Sequence, residues 1–283
     1  MARARCILAN AAPSVPPEHT YKGASVWEHN SRSWDVEARS QGPWSQPVGP
    51  DVIRRARQQD WELRLAGDTP VPRAWFPASL NGVRTLVLAG GGGQQAAVLA
   101  AAGAEVTVLD NSVEQLSRDR LVAEREGLNI KTQKGVMEDL SCFKASSFEL
   151  VVHPCSNCFV PDVKPVWKEC SRVLRRGGRL LAGFFNPIFY TLDKEKDDAG
   201  EVSLKYAVPY SDLTSIEEGE RLRLIEVGAK VPHLEFGHSL QDQIGGQLEA
   251  GLHLTGFLDS RWEGATALDR YVPVYVLTCA IQP

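Results

Sequence analysis

Residues 84–112, RTLVLAGGGGQQAAVLAAAGAEVTVLDNS, constrain this chain more than any other stretch. Leu86, Val87 and Leu88 form an apolar run long enough for a buried strand and too short for a helix. Gly90 to Gly93 follow at once, where the backbone can take positive φ and approach a ligand closely. Gln94 to Ala102 is rich in helix formers and ends at Gly103, a natural C-cap. Val106 to Leu109 then predicts a second strand, closed by Asp110. Strand, glycine loop, helix, strand and terminal carboxylate make a βαβ unit that binds nucleotide-like ligands. The helix N-terminus and loop amides face the ligand, and the acid accepts from ribose hydroxyls. Gly91 to Ala96 also satisfies G-x-G-x-x-A, so an NAD(P) dehydrogenase fits this stretch as well.

The remaining bounds come from charge and cysteine usage. A chain of 283 residues holds one large α/β domain with additions, and its formal net charge of -4 argues against a nucleic-acid backbone as main partner. No apolar run reaches the length of a membrane span. The first 19 residues carry Arg3 and Arg5 before an apolar piece too short for a secretory signal; they read as a disordered tail, with organelle targeting the weaker alternative. Cys155-Ser156-Asn157-Cys158 is a C-x-x-C, but no second pair lies at zinc spacing. The bland reading is preferred: reduced thiols in a cytoplasmic protein, with no metal.

Along the chain, residues 20–80 read as an N-terminal arm and helix. Tyr21, Trp27, Trp34 and Trp44 are too many aromatics for a disordered tail, and Pro43, Pro47 and Pro50 break any long helix. The arm packs on the domain, either simply or as a lid with Trp34 and Trp44 as walls. Asp51 is expected to cap a helix running through Trp61 and Leu63. Ser112 with Gln115 forms a capping box for the helix after Asp110. Ile130 to Gly135 predicts a third strand, leading to Met137 and Glu138 at its C-terminal edge, and Phe148 to Val152 a fourth. Val163, Val166, Trp167, Cys170, Val173 and Leu174 recur at helical spacing, and Gly177-Gly178 should stop that helix before a fifth strand, Arg179 to Phe185. Residues 187–236 read as an insertion, strand-like at 202–208 and 222–227. Residues 237–283 read as a helix from Ser239, weakened by Gly245-Gly246, and two final antiparallel strands.

This ordering resembles the class I S-adenosylmethionine (SAM)-dependent methyltransferases, in particular the small-molecule branch around ubiquinone and menaquinone methylases. LVLAGGGG is similar to their first motif, VTVLDNS to the second-strand acid, and GVMEDLS to the adenine segment. FELVVHPCSNCFV followed by VWKECSRVLRRGGRLL is similar to their fourth strand, following helix and fifth strand, a pair that a dehydrogenase need not supply. HPCSNCFVPDV, LAGFFNP and DQIGGQLEAG also resemble segments of uncharacterised bacterial proteins. The resemblance implies an α/β fold. Its doubly wound, mostly parallel seven-stranded sheet has an antiparallel last strand, an N-terminal lid and an insertion after the fifth strand. The SAM-binding core would span 81–186.

The implied cofactor contacts are Ala89, Gly90, Gly91, Gly93 and Gln94 in the loop, and Asp110, Asn111 and Gln115 after the second strand. Met137, Glu138 and His153 complete them. Two departures matter. The usual first-strand acid is Val87 and the first loop glycine is Ala89, so the methionine ammonium would rest on the backbone carbonyls of Ala89 and His153 or on another acid. The usual aspartate beside the adenine amine is Val136, leaving Glu138 or a main-chain carbonyl to accept from it. His153 is the candidate base and Asn157 an acceptor-orienting residue, with Trp34, Trp44, Tyr190, Tyr206, Tyr210, His238 and Gln243 as further substrate contacts. The reaction expected is methyl transfer from SAM to a small molecule. A sulfur nucleophile (a small thiol or thioether acid) is favoured, then oxygen, because no base pair can be assembled from sequence. The alternatives are an NAD(P)-linked oxidoreductase and a non-catalytic SAM-binding protein.

Overall fold

The computed structural model describes residues 20–21, 24–217, 232–264 and 266–283 and sets the glycine-rich unit at the centre of a seven-stranded sheet. In chain order the strands are β1 (Arg84–Leu88), β2 (Glu105–Asp110), β3 (Ile130–Lys134), β4 (Phe148–His153), β5 (Leu174–Phe185), β6 (His253–Ser260) and β7 (Tyr275–Ile281). Their order across the sheet is β6-β7-β5-β4-β1-β2-β3. Strands β1 to β5 pair in parallel, while β7 runs antiparallel to both β5 and β6. This is the expected fold class.

The helices are α1 (Val26–Arg39), α2 (Pro50–Arg57), α3 (Gln95–Ala101), α4 (Val113–Glu126) and α5 (Lys164–Val173), with shorter turns elsewhere among the described residues. Alternation along the strands splits the core in two. Val87, Val108, Leu150 and Val152 meet Leu99 of α3 and Leu116 of α4 on one face. Leu86, Leu88, Leu109 and Val151 meet Val166, Trp167 and Cys170 of α5 on the other. Leu86 and Leu88 are fully buried, which stabilises the fold by about 1.5–3 kcal/mol for each such side chain.

Several local expectations need correction. The arm does hold a long helix: α1 has 14 residues, started by a Ser25–Glu28 capping box, and every proline of the segment falls beyond its end. α2 begins at Pro50 with Gly49 as its N-cap and ends at Arg57, where Gln59 takes φ 64°; Trp61 and Leu63 lie in the connector and pack into the core instead. Ser112 accepts from the Gln115 amide, but the Gln115 side chain reaches Ser45 and the Ser112 amide donates to Asp110, so the box is only half formed. α5 ends at Val173 and β5 starts immediately at Leu174; Gly177 and Gly178 lie within that strand, where its register against β4 shifts. Residues 202–208 hold an isolated bridge, Leu192 to Leu204, and no strand, while 222–227 lies outside the described residues. The helix expected from Ser239 is a π-helical turn (Gln241–Gly245) running into a short α-helix (Gly246–Glu249). A Cβ on Gly246 would sit 2.7 Å from Trp167 Cδ1, so that glycine permits a close helix approach.

α1 crosses the C-terminal edge of the sheet and is pinned at three places. Asn30 donates to the Phe159 and Leu234 carbonyls and accepts from the Leu234 amide. Ser31 donates to the Asn111 carbonyl. Asp35 accepts from the Ser112 hydroxyl at 2.6 Å and from the Glu114 amide at 3.2 Å.

Candidate active site

Between α1 and the strand ends lies a cavity of about 750 Å3. It runs from Gly135–Glu138 after β3, past the glycine loop after β1, to Pro154–Ser156 after β4, and on to Phe185 and Tyr275 at the ends of β5 and β7. Trp27 and Trp34 of α1 contribute to its wall, with Trp44 and Trp262 at the rim, the last two in edge contact at 5.0 Å.

The loop turns as its glycines predict, with φ 111° at Gly92 and 74° at Gly93, while Ala89 takes φ 48°. Its amides are held by two carboxylates. Gly91 donates to Asp110 at 3.0 Å, and Gly92 and Gly93 both donate to Asp119 of α4 at 3.2 Å. Asp119 is fully buried, and burial pushes its carboxyl well up. Asp110 also accepts from the Ser112 amide at 2.9 Å, and burial raises its carboxyl to about 6. At the other end of the cofactor side, Glu138 Oε1 accepts from Trp27 Nε1 at 2.5 Å. Glu138 Oε2 is buried with no partner among the described residues, and desolvation raises the carboxyl to about 7.

Ala89, Gly90, Gly91, Gln94, Asp110, Asn111, Gln115, Met137 and Glu138 all line the cavity, as do Trp34 and Trp44. The other expected site residues do not. Gly93 turns beneath α4, where a Cβ would sit 2.9 Å from the Arg118 carbonyl. His153 follows the parity of Val151 and faces α5: it is fully buried, its Nδ1–H donates to the Leu88 carbonyl at 3.0 Å, and its ring meets Trp167 edge-on. Burial lowers it to about 4, so the ring is neutral near pH 7. Asn157, Gln243 and His238 form a buried staple: Asn157 Nδ2 donates to Gln243 at 2.8 Å, and His238 Nε2 donates to the Asn157 carbonyl at 3.0 Å. Tyr190 stacks on Tyr210 at 5.5 Å and Tyr206 meets Tyr210 edge-on at 5.3 Å, and none of the three lines the cavity.

Other lining residues went unassigned from sequence. Trp27 orients Glu138, and Glu235 accepts from the Tyr190 hydroxyl at 3.0 Å. Glu235 stands between Leu234 and Phe236, and an acid isolated between large apolar residues was its only signal. Cys155 and Cys158 are free thiols, and both line the cavity.

Comparison with known proteins assigns this geometry. A methyltransferase domain family matches residues 86–182. An uncharacterized methyltransferase of Bacillus subtilis, YbaJ, is 45% identical over 254 residues, covering 90% of this chain and 97% of the relative. The chain belongs to the methyltransferase family. A ubiquinone biosynthesis O-methyltransferase of Xylella fastidiosa is 26% identical over 208 residues, covering 72% of this methyltransferase and 76% of the relative. The crystal structure of an S-adenosylmethionine dependent methyltransferase from Mesorhizobium loti shares the fold, with a TM-score of 0.55 at 18% identity over 74% of this chain and 94% of its own. The oxidoreductase alternative is not favoured.

The cofactor implied by family and fold is SAM, and the residues present fit it. Asp110 closes β2 at the cavity wall, where a ribose would meet a carboxylate. Glu138 Oε2, without a partner among the described residues, would accept from a donor such as an adenine amine. Among the described residues no helix is long and apolar enough to cross a membrane.

Proposed function

We propose that this methyltransferase moves the methyl group of SAM to a small molecule held at the β4–β5 end of the cavity. The observation that carries this reading is the cavity itself. Its volume of about 750 Å3 lies within the roughly 300–1,000 Å3 of small-molecule sites, and α1 roofs it against larger partners. Asp110 accepts from the ribose, Glu138 accepts from the adenine amine, and the loop backbone at Ala89 to Gly91 approaches the methionine portion. SAM supplies an activated methyl group, so the chain's task is to align the acceptor and exclude water. Trp34, Phe159 and Phe185 give the acceptor end apolar walls.

Among the described residues, Glu37, Asp68, Asp110, Glu138 and Glu235 line the same cavity against a single arginine, Arg64. That balance disfavours an acidic acceptor and so weakens the thiol-acid or thioether-acid reading. An oxygen nucleophile comes first, in keeping with the O-methyltransferase name of the Xylella relative, and sulfur second. Calorimetry with S-adenosylhomocysteine (SAH) and with NADH tests the cofactor assignment: SAH should bind and NADH should not. Transfer of labelled methyl from SAM across phenols, thiols, thioethers and amines then tests the acceptor class. Transfer to a polymer such as RNA, with no small molecule accepting, would overturn the proposal.

A further inference from the structure

The cavity's carboxylates divide by position. Asp110 and Glu138 belong to the cofactor side. Asp68 is exposed and accepts from the Glu263 amide, and Glu37 packs against the backbone of Gly42. Among the described residues, Glu235 is the carboxylate at the far end, in the same wall as Cys155, Cys158, Phe185 and Tyr275. Its position is built. The Glu235 amide donates to Asp212 at 2.7 Å, the Asp212 amide donates back to the Glu235 carbonyl, and the Tyr190 hydroxyl fixes one carboxylate oxygen at 3.0 Å.

We propose that Glu235 is the general base of the transfer and Tyr190 its positioning residue, so that the methyl acceptor carries an O–H or N–H on the attacked atom. This rests on the methyl-transfer reading above and narrows it. As the acceptor atom forms its bond to the methyl carbon, the methyl–sulfur bond breaks and its electron pair stays on sulfur. The acceptor's proton passes to the Glu235 carboxylate. No further co-reactant is needed.

The neighbouring groups suit that role. Burial and the negative Asp212 raise the Glu235 carboxyl to about 7, against the lowering effects of the Tyr190 hydroxyl and Lys194. A base is most effective when its affinity for the proton lies near the working pH. Cys158 and Tyr190, buried beside it, are pushed well up and stay protonated, and Tyr210 and Tyr275 are raised too. Cys155 completes the surroundings. None of these raised groups competes with Glu235 for the acceptor's proton near neutrality. A thioether needs no base, which leaves Glu235 without a purpose under that reading.

The test uses the full chain with SAH or labelled SAM, comparing wild type with Glu235→Gln and Tyr190→Phe. In the SAH complex, carbon-13 NMR of the glutamate carboxyls should show a resonance titrating near neutrality that is missing in Glu235→Gln and has a higher midpoint in Tyr190→Phe. Methyl transfer is offered catechol, 2-phenylethylamine and dimethyl sulfide as O–H, N–H and proton-free probes. Transfer to catechol or the amine should rise with pH through neutrality. It should fall about 100-fold or more in Glu235→Gln, with SAH affinity unchanged. A wild-type rate in Glu235→Gln, transfer to dimethyl sulfide alone, or a Glu235 midpoint below pH 5 overturns the proposal. Where none of the three probes is methylated, the titration decides. Failure of wild type to bind SAH would instead sink the cofactor assignment.

Discussion

Replacing Glu138 by glutamine should weaken the cofactor and strengthen the fold, and both effects follow from one buried oxygen. The amide side chain of Glu138→Gln keeps an acceptor for Trp27 Nε1, so the contact to α1 survives. Its second terminal atom becomes an N–H2 where the native Oε2 has no protein partner among the described residues. An adenine amine then meets a donor, and the loss of a hydrogen bond to a charged group should cost about 1.5–3 kcal/mol, or roughly 10- to 150-fold in SAH affinity. In wild type, burial raises the Glu138 carboxyl from 4.5 to about 7. Between those values the unfolded chain has lost the proton and the folded one keeps it, so wild-type stability falls as pH rises across that window and levels off above it. The difference of about 2.5 units corresponds to about 3 kcal/mol. The glutamine does not titrate. The variant should match wild type in urea unfolding near pH 4.5 and exceed it by about 1–3 kcal/mol at pH 8. Its SAH affinity should also lose the rise with pH that wild type shows through neutrality. Equal stability at pH 8 together with unchanged SAH affinity would refute the reasoning.

Other outcomes follow from the same contacts. Asp110→Ala should weaken SAH binding at least tenfold by calorimetry, while His153→Ala, facing α5, should leave it within about threefold and lower the melting temperature. Gly246→Ala should destabilise by about 1–3 kcal/mol because its Cβ meets Trp167 at 2.7 Å, whereas Gly245→Ala, whose nearest neighbour lies at 3.7 Å, should be neutral or stabilising in the same thermal melts. Asp119→Ala should orphan the Gly93 amide, while Gly92 keeps the Gln115 carbonyl at 3.1 Å, so hydrogen exchange should accelerate at Gly93 more than at Gly92 relative to the β1 strand.

Much of the fold was legible because short apolar runs and their punctuation are local signals. β1, β2, β4 and β5 each carry such a run, and the carboxylate closing β2 stands where a βαβ unit needs it. The misread positions obey equally simple rules that were outweighed. Ser25 and Glu28 have capping-box spacing, yet the prolines downstream argued against a helix they do not enter. Residue parity along β4 puts His153 with Val151 rather than Val152, hence on the α5 face; its position at the strand's mouth suggested a catalytic role instead. Asn157, His238 and Gln243 are polar and close to the site in sequence order, but they bond to each other. Burial satisfied by partners distant in sequence, 81 and 86 residues away, leaves no local pattern to read.

The placement of α1 explains why the two ends of the cavity respond to different parts of the chain. On the cofactor side, Trp27 fixes Glu138, Ser31 holds the Asn111 carbonyl and Asp35 holds Ser112, so α1 completes a surface that β2 and β3 begin. On the acceptor side, Asn30 ties the same helix to Leu234, one residue before Glu235, and to the Phe159 carbonyl in the loop after β4. One helix therefore braces both Glu138, the carboxylate proposed to meet adenine, and the segment carrying Glu235, the carboxylate proposed as base. Because Asn30 is buried and makes three hydrogen bonds to backbone, its loss would leave the Leu234 amide and carbonyl unpaired in a dry setting, an expense of about 1–3 kcal/mol per orphaned group. Loosening that bracket disturbs the acceptor end first, since Glu138 keeps its own tie to Trp27 while Leu234 loses its tie to the roof. The site is thus built as two halves sharing one beam, with the glycine loop as the fixed floor between them.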